Sequence, residues 1–505
     1  MSKNLQEILR GTRPLVSQHG ANRHRVNTER WQQITGRLGR GLDLVAMWAD
    51  PVDVHMAVRA SDGGALVIVS HKIEDGTFPS VAAHHPAAGL AERMIRDLNG
   101  VRGDATPDCR LWLDHGNWPQ SAPLAPTPQA AQKVPPYSFL GAEGEGIHQI
   151  PVGPVHAGII EPGHFRFFCV GETVVRLEAR LGYTHKGIEK LLEGKTPQDA
   201  APIAARISGD STVAYALAFA RACESATNTD IPERAHWLRA LLAELERLSN
   251  HCGDIGAICN DAAFALMHAH FGLLREDILH AANLAFGHRL MMDVIVPGGV
   301  SHDLDTAGET ALRTLFNGLR TRLPDLIDLY DNTPSLQNRT RNTGTLSSKL
   351  AAKFGAGGYV GRAAGRAFDA RKSMPYPPYD QLDFDVPCLE GGDVNARIWI
   401  RIHEIEQSLH LCDAIIGRMG KGDILVPLEQ SDTKPHEGVA LVEGFRGDIF
   451  MWLRLGKDGR IARCHPRDPS QYHWPLLEAV IENNIVADFP ICNKSFNCAY
   501  SASDL

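Results

Sequence analysis

Apolar residues recur at helical spacing through the middle of the chain. Leu238, Leu241, Leu242, Leu245, Leu248 and Ile255 share one face of a helix that begins behind Asp230 and Pro232, because positions three and four apart lie together and proline suits a first turn. The same period runs over residues 261–286, 308–330 and 396–419. These stripes predict a helical bundle with the apolar faces as its core. Towards both ends the period drops to two. Residues 42–47, 55–59 and 65–70 alternate as strands, with the turn 61–64 between the last two; residues 90–98 read as a helix and 109–113 as a further strand. The stretch 150–167 is rich in Gly and Pro before it alternates as a strand, with 173–178 as its hairpin partner. Residues 438–443, 448–454 and 460–464 return the last region to strands.

This pattern predicts an α+β protein of more than one unit, as its 505 residues allow. Residues 1–120 form a small α+β domain. Residues 121–146 are a linker, with five prolines and four alanines between 121 and 136, and residues 147–505 are a mainly helical domain with flanking strands. A net charge of −8 argues against nucleic acid as a partner, although the first forty residues, Arg13 among them, are locally basic. No secretory h-region and no apolar run of roughly 20 residues is present, so no signal peptide and no spanning segment are expected. The ten cysteines include no C-x-x-C pair, which predicts reduced, packed thiols and no cluster held by this chain.

Two distant stretches carry the candidate chemistry. Arg206-Ile-Ser-Gly-Asp-Ser211 reads as a turn into a helix, with Ser208 as a cap and Asp210 in an acidic first turn. Its counterpart is Ser495-Phe-Asn-Cys-Ala-Tyr-Ser-Ala-Ser-Asp504. Glu161 stands in the Gly/Pro-rich stretch between His156 and His164, and a carboxyl near a partly buried cavity can be tuned for proton relay. His268 and His270, two apart on a helix, face different ways and are not expected to share a metal.

Several ordered motifs then point to a family. They are the run 147–167, Leu181-Gly-Tyr-Thr-His-Lys-Gly-Ile-Glu-Lys190, Glu244-Leu-Glu-Arg-Leu-Ser-Asn-His251, Pro297-Gly-Gly-Val300, residues 376–386, and Ala487-Asp-Phe-Pro490 followed by Asn493-Lys-Ser-Phe496. Together they resemble the large subunit of formate-hydrogenlyase-type nickel–iron hydrogenases and the related 49-kDa quinone-site subunit of complex I. The first 120 residues resemble the 30-kDa subunit of complex I, best at Asp114-His-Gly-Asn-Trp-Pro119. Hydrogenases of this family hold nickel and iron by four cysteines in two motifs, since soft thiolates suit such a centre. The resemblance sets Ser208 and Ser211 at two of those positions and Ala499 and Ala502 at the other two, with Cys498 one residue out of register.

The resemblance therefore implies a complex I-like redox subunit with its nickel site dismantled and no cofactor bound by this chain. An iron–sulfur cluster is expected in a small partner subunit, with antiporter-like membrane subunits beneath and a peripheral place on the cytoplasmic face. Electrons would pass to quinone or another acceptor. Glu161 would pass protons, although Pro162 interrupts the family's Glu-Gly-His motif. His156 and His164 would serve a quinone or proton path. Arg206 and Asp210 would be a buried ion pair or helix cap, or charges lining the vacated cavity, with Asp504 on the same wall. The sequence ends at Leu505, just after the second motif, which agrees with an unmetallated subunit. The alternatives are a silent scaffold in an ion-transporting complex and a true hydrogenase with replacement ligands.

Overall fold

The computed structural model describes residues 3–12, 14–18, 21–61, 63–131, 133–156, 160–429 and 436–505. Arg13 of the basic run, Asp62 of the expected turn, Gln132 of the linker and residues 157–159 of the Gly/Pro-rich run lie outside them.

The N-terminal strands form one five-stranded sheet, in the spatial order Pro14–Gln18, Ala21–Arg25, Val67–Lys72, Asp53–Ala60, Leu42–Ala49. Only the pairing of Ala21–Arg25 with Val67–Lys72 is parallel. Leu42–Ala49 and Asp53–Ala60 are buried at every position, so both faces of the sheet are covered. Val54, Met56 and Val58 turn to one side, against the helices Thr28–Thr35 and Gly89–Asn99 through Trp31, Ile34, Met94 and Leu98. Val45, Trp48, Ala57 and Ile68 turn to the other, where they meet Phe450 and Trp452. Those two belong to a C-terminal antiparallel sheet of His436–Gly444, Gly447–Leu455 and Ile461–Arg467. Arg454 to Asp50 (2.8 Å) and Arg23 to Glu437 (3.0 Å) close the polar edge of this junction.

Residues 109–113 are not the strand that their alternation predicts. The carboxylate of Asp97 accepts the backbone N–H groups of Trp112 and Leu113, both at 2.7 Å, and of Asp114 at 3.3 Å. A side chain satisfies the amides that a neighbouring strand would otherwise take. The expected linker is a strap lying on the protein: Leu124 is buried, Tyr137 Oη donates to Glu178 (3.0 Å), and Leu140 N–H donates to the same carboxylate (2.7 Å).

The predicted bundle is present. The long helix Glu233–Asp261 packs against Ala265–Phe286 and Val394–Arg418, and Thr306–Asp331 packs on Ala265–Phe286. The expected helix from 261 is interrupted at 262–264, where Ala263 takes a left-handed φ of 61°. Ile147–Val152, His164–Val170 and Thr173–Arg180 form an antiparallel sheet. The last region does not stay in strands; Ser470–Val480, Phe489–Phe496 and Tyr500–Asp504 are helices, short enough and proline-bearing enough (Pro475, Pro490) to leave little periodic signal. All ten cysteines are free thiols, and only Cys109 and Cys388 are exposed.

Candidate functional site

The two candidate stretches meet. The helix Pro197–Ala205 ends, Ser208 is extended, and a single 3₁₀ turn, Gly209–Ser211, leads into Thr212–Thr227. Ser208 does not cap that turn. Its hydroxyl donates to Asp210 at 2.8 Å instead. The N–H groups of Val213 and Ala214, which open the following helix, donate to the carboxylate of Glu246 from the long helix, at 2.7 and 3.0 Å. Burial pushes Glu246 up to about 8 against those two bonds, and the charge of Asp210 adds to the rise.

The C-terminal stretch comes in from Phe489–Phe496. Asn497 takes a left-handed φ of 46° and turns its amide to Asp254 at 2.9 Å. Ala499, Ala502, Ser208 and Ser211 are all buried. Arg446 binds the two halves together. Its guanidinium donates to Asp210 (2.7 and 2.5 Å), to Ser211 Oγ (3.1 Å) and to the carbonyl of Asn497 (2.5 Å). The turn that presents Arg446 lies against Gly358, at φ +60°, where any Cβ would run into the Arg446 carbonyl. Lys186 is a second tie, donating to Ile207 O (2.8 Å) and Ser501 O (3.2 Å).

Between these elements opens a cleft of about 630 Å³, whose wall includes Glu161, Ser208, Asp210, Asp254, Cys498 and Ala499. Glu161 accepts the Ser501 N–H at 3.1 Å, so it holds a turn and faces the cleft at once. Asp504 is fully buried behind it. One oxygen accepts Thr184 Oγ1 (2.7 Å), Thr184 N–H (3.1 Å) and Gly182 N–H (2.9 Å), while Oδ1 has no partner among the described residues. Burial raises Asp504 to about 6, the bonds from Thr184 and Gly182 pull it down, and the charge of Glu161 adds to the rise. The guanidinium of Arg446 holds Asp210 well below the usual carboxylate range, against the cost of burial.

Other expected members are elsewhere. Arg206 does not pair with Asp210; it grips Asp293 on the surface at 2.8 and 2.6 Å, with both side chains nearly half exposed. His156 is spent on the carbonyl of Gly163 at 2.8 Å. His164 contacts the carbonyl of Gly153 at 3.2 Å and lines a different cavity, and burial lowers its pKa. His268 reaches the cleft wall, whereas His270 does not. Arg446 and Asp254 carry no mark in the sequence that singles them out as site residues, and Lys186 and Glu246 fall inside family motifs that assign them no role. The one signal for Arg446 is its bracketing by Gly444 and Gly447, and a charge in a tight turn ordinarily reads as solvated.

Known proteins share this architecture. Residues 254–439 match the family described as respiratory-chain NADH dehydrogenase, 49 Kd subunit, and residues 186–253 match nickel-dependent hydrogenase. Formate hydrogenlyase subunit 5 of Escherichia coli (strain K12) is 30% identical over 438 residues, covering 85% of this chain and 77% of its own length. The chain belongs to this family of hydrogenase large subunits and complex I 49-kDa subunits. Other members include the carbon monoxide-induced hydrogenase of Rhodospirillum rubrum, 30% identical over 71% of this chain and 99% of its own. An NADH-quinone oxidoreductase chain of Roseiflexus sp. (strain RS-1) is 32% identical over 70% of this chain and 98% of its own. Among solved structures, a chain of the membrane-bound sulfane sulfur reductase, an archaeal respiratory membrane complex, superposes with a TM-score of 0.67 at 26% identity, covering 72% of this chain and 99% of that one.

A nickel–iron centre does not fit the residues at the positions that the sequence resemblance assigns to its ligands. Two are methyl groups, and two are hydroxyls already engaged with Asp210 and Arg446. Hard, neutral oxygen is a poor donor to a soft metal, and a methyl group is none. Among the described residues no group of three or more His, Cys, Asp or Glu side chains is placed to hold a metal ion, and no helix is long and apolar enough to cross a membrane.

Arg446→Gln should cost about 2–3 kcal/mol of stability. A fully buried pair broken on one side costs about 3–5 kcal/mol, but Asp210 is 37% exposed to the cleft and water takes up part of the loss. The check is a double-mutant cycle with Asp210→Asn by chemical denaturation. If the two losses simply add, the pair does not hold the halves together.

Proposed function

We propose that this chain is the large, 49-kDa-type subunit of a membrane-associated respiratory redox complex that no longer activates hydrogen. It takes electrons from an iron–sulfur cluster in a small partner subunit and delivers them at the cleft to quinone or another acceptor. Antiporter-like membrane subunits move protons or another ion in step, and Glu161, with Asp504 behind it, supplies the proton side. The chain sits peripherally on the cytoplasmic face. The observation that carries this reading is the Arg446–Asp210 bridge, which also takes Ser211 Oγ and the carbonyl of Asn497, two residues before Ala499. It leaves a polar cleft between the motif halves and no thiolate set. The division into residues 1–120, a linker at 121–146 and 147–505 is part of the same proposal; the R. rubrum relative matches 361 residues of this chain, a length close to that of 147–505.

The test is purification of the chain with whatever it binds in the cell. We expect far less than one nickel per chain by elemental analysis and no hydrogen-dependent dye reduction. A co-purifying iron–sulfur signal should be oxidised by a quinone analogue. Stoichiometric nickel with hydrogen uptake would overturn the proposal. An inert complex without a cluster signal would leave the scaffold reading in its place.

A further inference from the structure

A second cavity, of about 1190 Å³, lies where the end of the helix Gly89–Asn99 meets the strap and the strands His164–Val170 and Thr173–Arg180. Ligand sites favour such junctions between units, and this volume exceeds what a small ligand needs. Its wall has two buried polar atoms with no partner among the described residues. Asp97 is 5% exposed, and its Oδ2 is spent on the amides of Trp112, Leu113 and Asp114, which leaves Oδ1 a buried acceptor with no donor. On the preceding residue, Nη1 of Arg96 is a buried donor with no acceptor. Buried polar atoms are nearly always paired, and the exceptions call for an explanation.

The charges around these atoms agree in sign. Arg102 and Lys133 line the same cavity and form no ion pair among the described residues. Arg180, 4% exposed, contacts no carboxylate; it donates to the Trp112 carbonyl and lies over the Tyr137 ring at 4.4 Å. The other acid in the wall, Asp114, turns to the N–H of Gly116 at 2.7 Å. The cavity thus offers an excess of guanidinium and ammonium donors beside one buried carboxylate acceptor. Arginine donors of this kind recognise phosphate, and a carboxylate oxygen beside them takes a hydroxyl.

We propose that this cavity binds a hydroxyl-bearing phosphate ester. Arg96, Arg102 and Lys133 hold its phosphate, and Oδ1 of Asp97 accepts one of its hydroxyls. The inference is independent of what happens in the redox cleft. The same chemistry belongs to a free nucleotide and to the glycerol-phosphate headgroup of an anionic lipid, and the experiment separates them.

Full-length protein in its purified complex is titrated calorimetrically with ATP and with glycerol 3-phosphate. In parallel it is sedimented with phosphatidylglycerol vesicles against phosphatidylcholine ones. Saturable binding of at least one phosphate probe is expected, weakened about tenfold by Arg96→Gln and several-fold by Lys133→Gln, with affinity falling as salt rises. Neither side chain has a partner to lose among the described residues, so both variants should fold. Asp97→Asn also touches the Trp112–Asp114 amides and serves only alongside them. ATP without vesicles identifies a nucleotide, and phosphatidylglycerol vesicles alone identify a lipid headgroup. No saturable binding of any probe, or binding indifferent to Arg96→Gln, overturns the proposal.

Discussion

Arg362→Met is expected to cost about 5 kcal/mol of folding stability, the upper end of what breaking a buried ion pair does. Arg362 is the hub of a charge cluster in which no side chain is more than 1% exposed. Its Nε donates to Glu404 at 2.8 Å, its Nη1 to Glu443 at 2.8 Å and to the Phe368 carbonyl at 2.9 Å, and Asp369 stands 3.5 Å away. Asp369 retains Arg371 (2.6 Å) and Glu404 retains His251 (2.7 Å). Glu443 is left with a single backbone amide, from Ala370 at 2.9 Å. Burial already lifts Glu443 to about 7, the charge of Asp369 adds to that, and Arg362 is what restrains it.

Removing the guanidinium raises Glu443 further. The folded state then holds a proton that the unfolded chain releases near the ordinary value, about 4.3. Stability therefore falls as pH rises through the window from there to the raised value. Urea denaturation should show the variant's deficit growing between pH 6 and pH 8, and a deficit of equal size at both would refute the assignment. Arg362→Lys should recover only part, because an ammonium keeps the charge but not the fork that serves Glu404 and Glu443 together.

That cluster also marks where the sequence stops being legible. The stripe Leu238 to Leu248 gives the long helix away because one apolar face repeats, yet the same helix also buries Glu244, Glu246, Arg247 and His251. Their partners come from segments far along the chain, such as Arg371 and Glu404, and periodicity has no register of pairing across sequence. The same limit applies in the cleft. Ser208, Ser211, Ala499 and Ala502 are brought together by the resemblance alone, and nothing local predicts that Arg446, in a hairpin turn, would be what joins them. Arg206 fails in the opposite way, because its neighbour in sequence is Asp210 while its partner in space is Asp293. The strand expected at 109–113 fails because a carboxylate competes for backbone amides as well as a strand does.

Trp48→Ala should cost about 3–5 kcal/mol, the range for truncating a large buried aromatic, and the loss should be felt at the junction of the two sheets. Trp48 is 1% exposed and sits with ring centroids 5.3 Å from Trp452, 5.4 Å from Phe450 and 5.3 Å from His465, on which it stacks. Its indole N–H is buried without an acceptor among the described residues, so the substitution removes packing and breaks no hydrogen bond seen there. The polar edge does not compensate. The Arg454–Asp50 and Arg23–Glu437 pairs are already formed in the parent, so the variant gains no new contact there. The N-terminal sheet should then lift from the C-terminal one while its opposite face, on Trp31 and Met94, stays packed. Limited proteolysis should cut within the strands Leu42–Ala49 and Asp53–Ala60, buried at every position in the parent, many times faster in Trp48→Ala, because opening the junction exposes them. Of the junction's elements only the turn that presents Arg446 reaches the cleft, and its sheet stays folded, so the cleft's ligand-linked signals should persist at temperatures below unfolding. If those strands stay resistant while global stability falls by the expected amount, the two sheets unfold as one cooperative unit, and the N-terminal strands belong to the same core as the cleft.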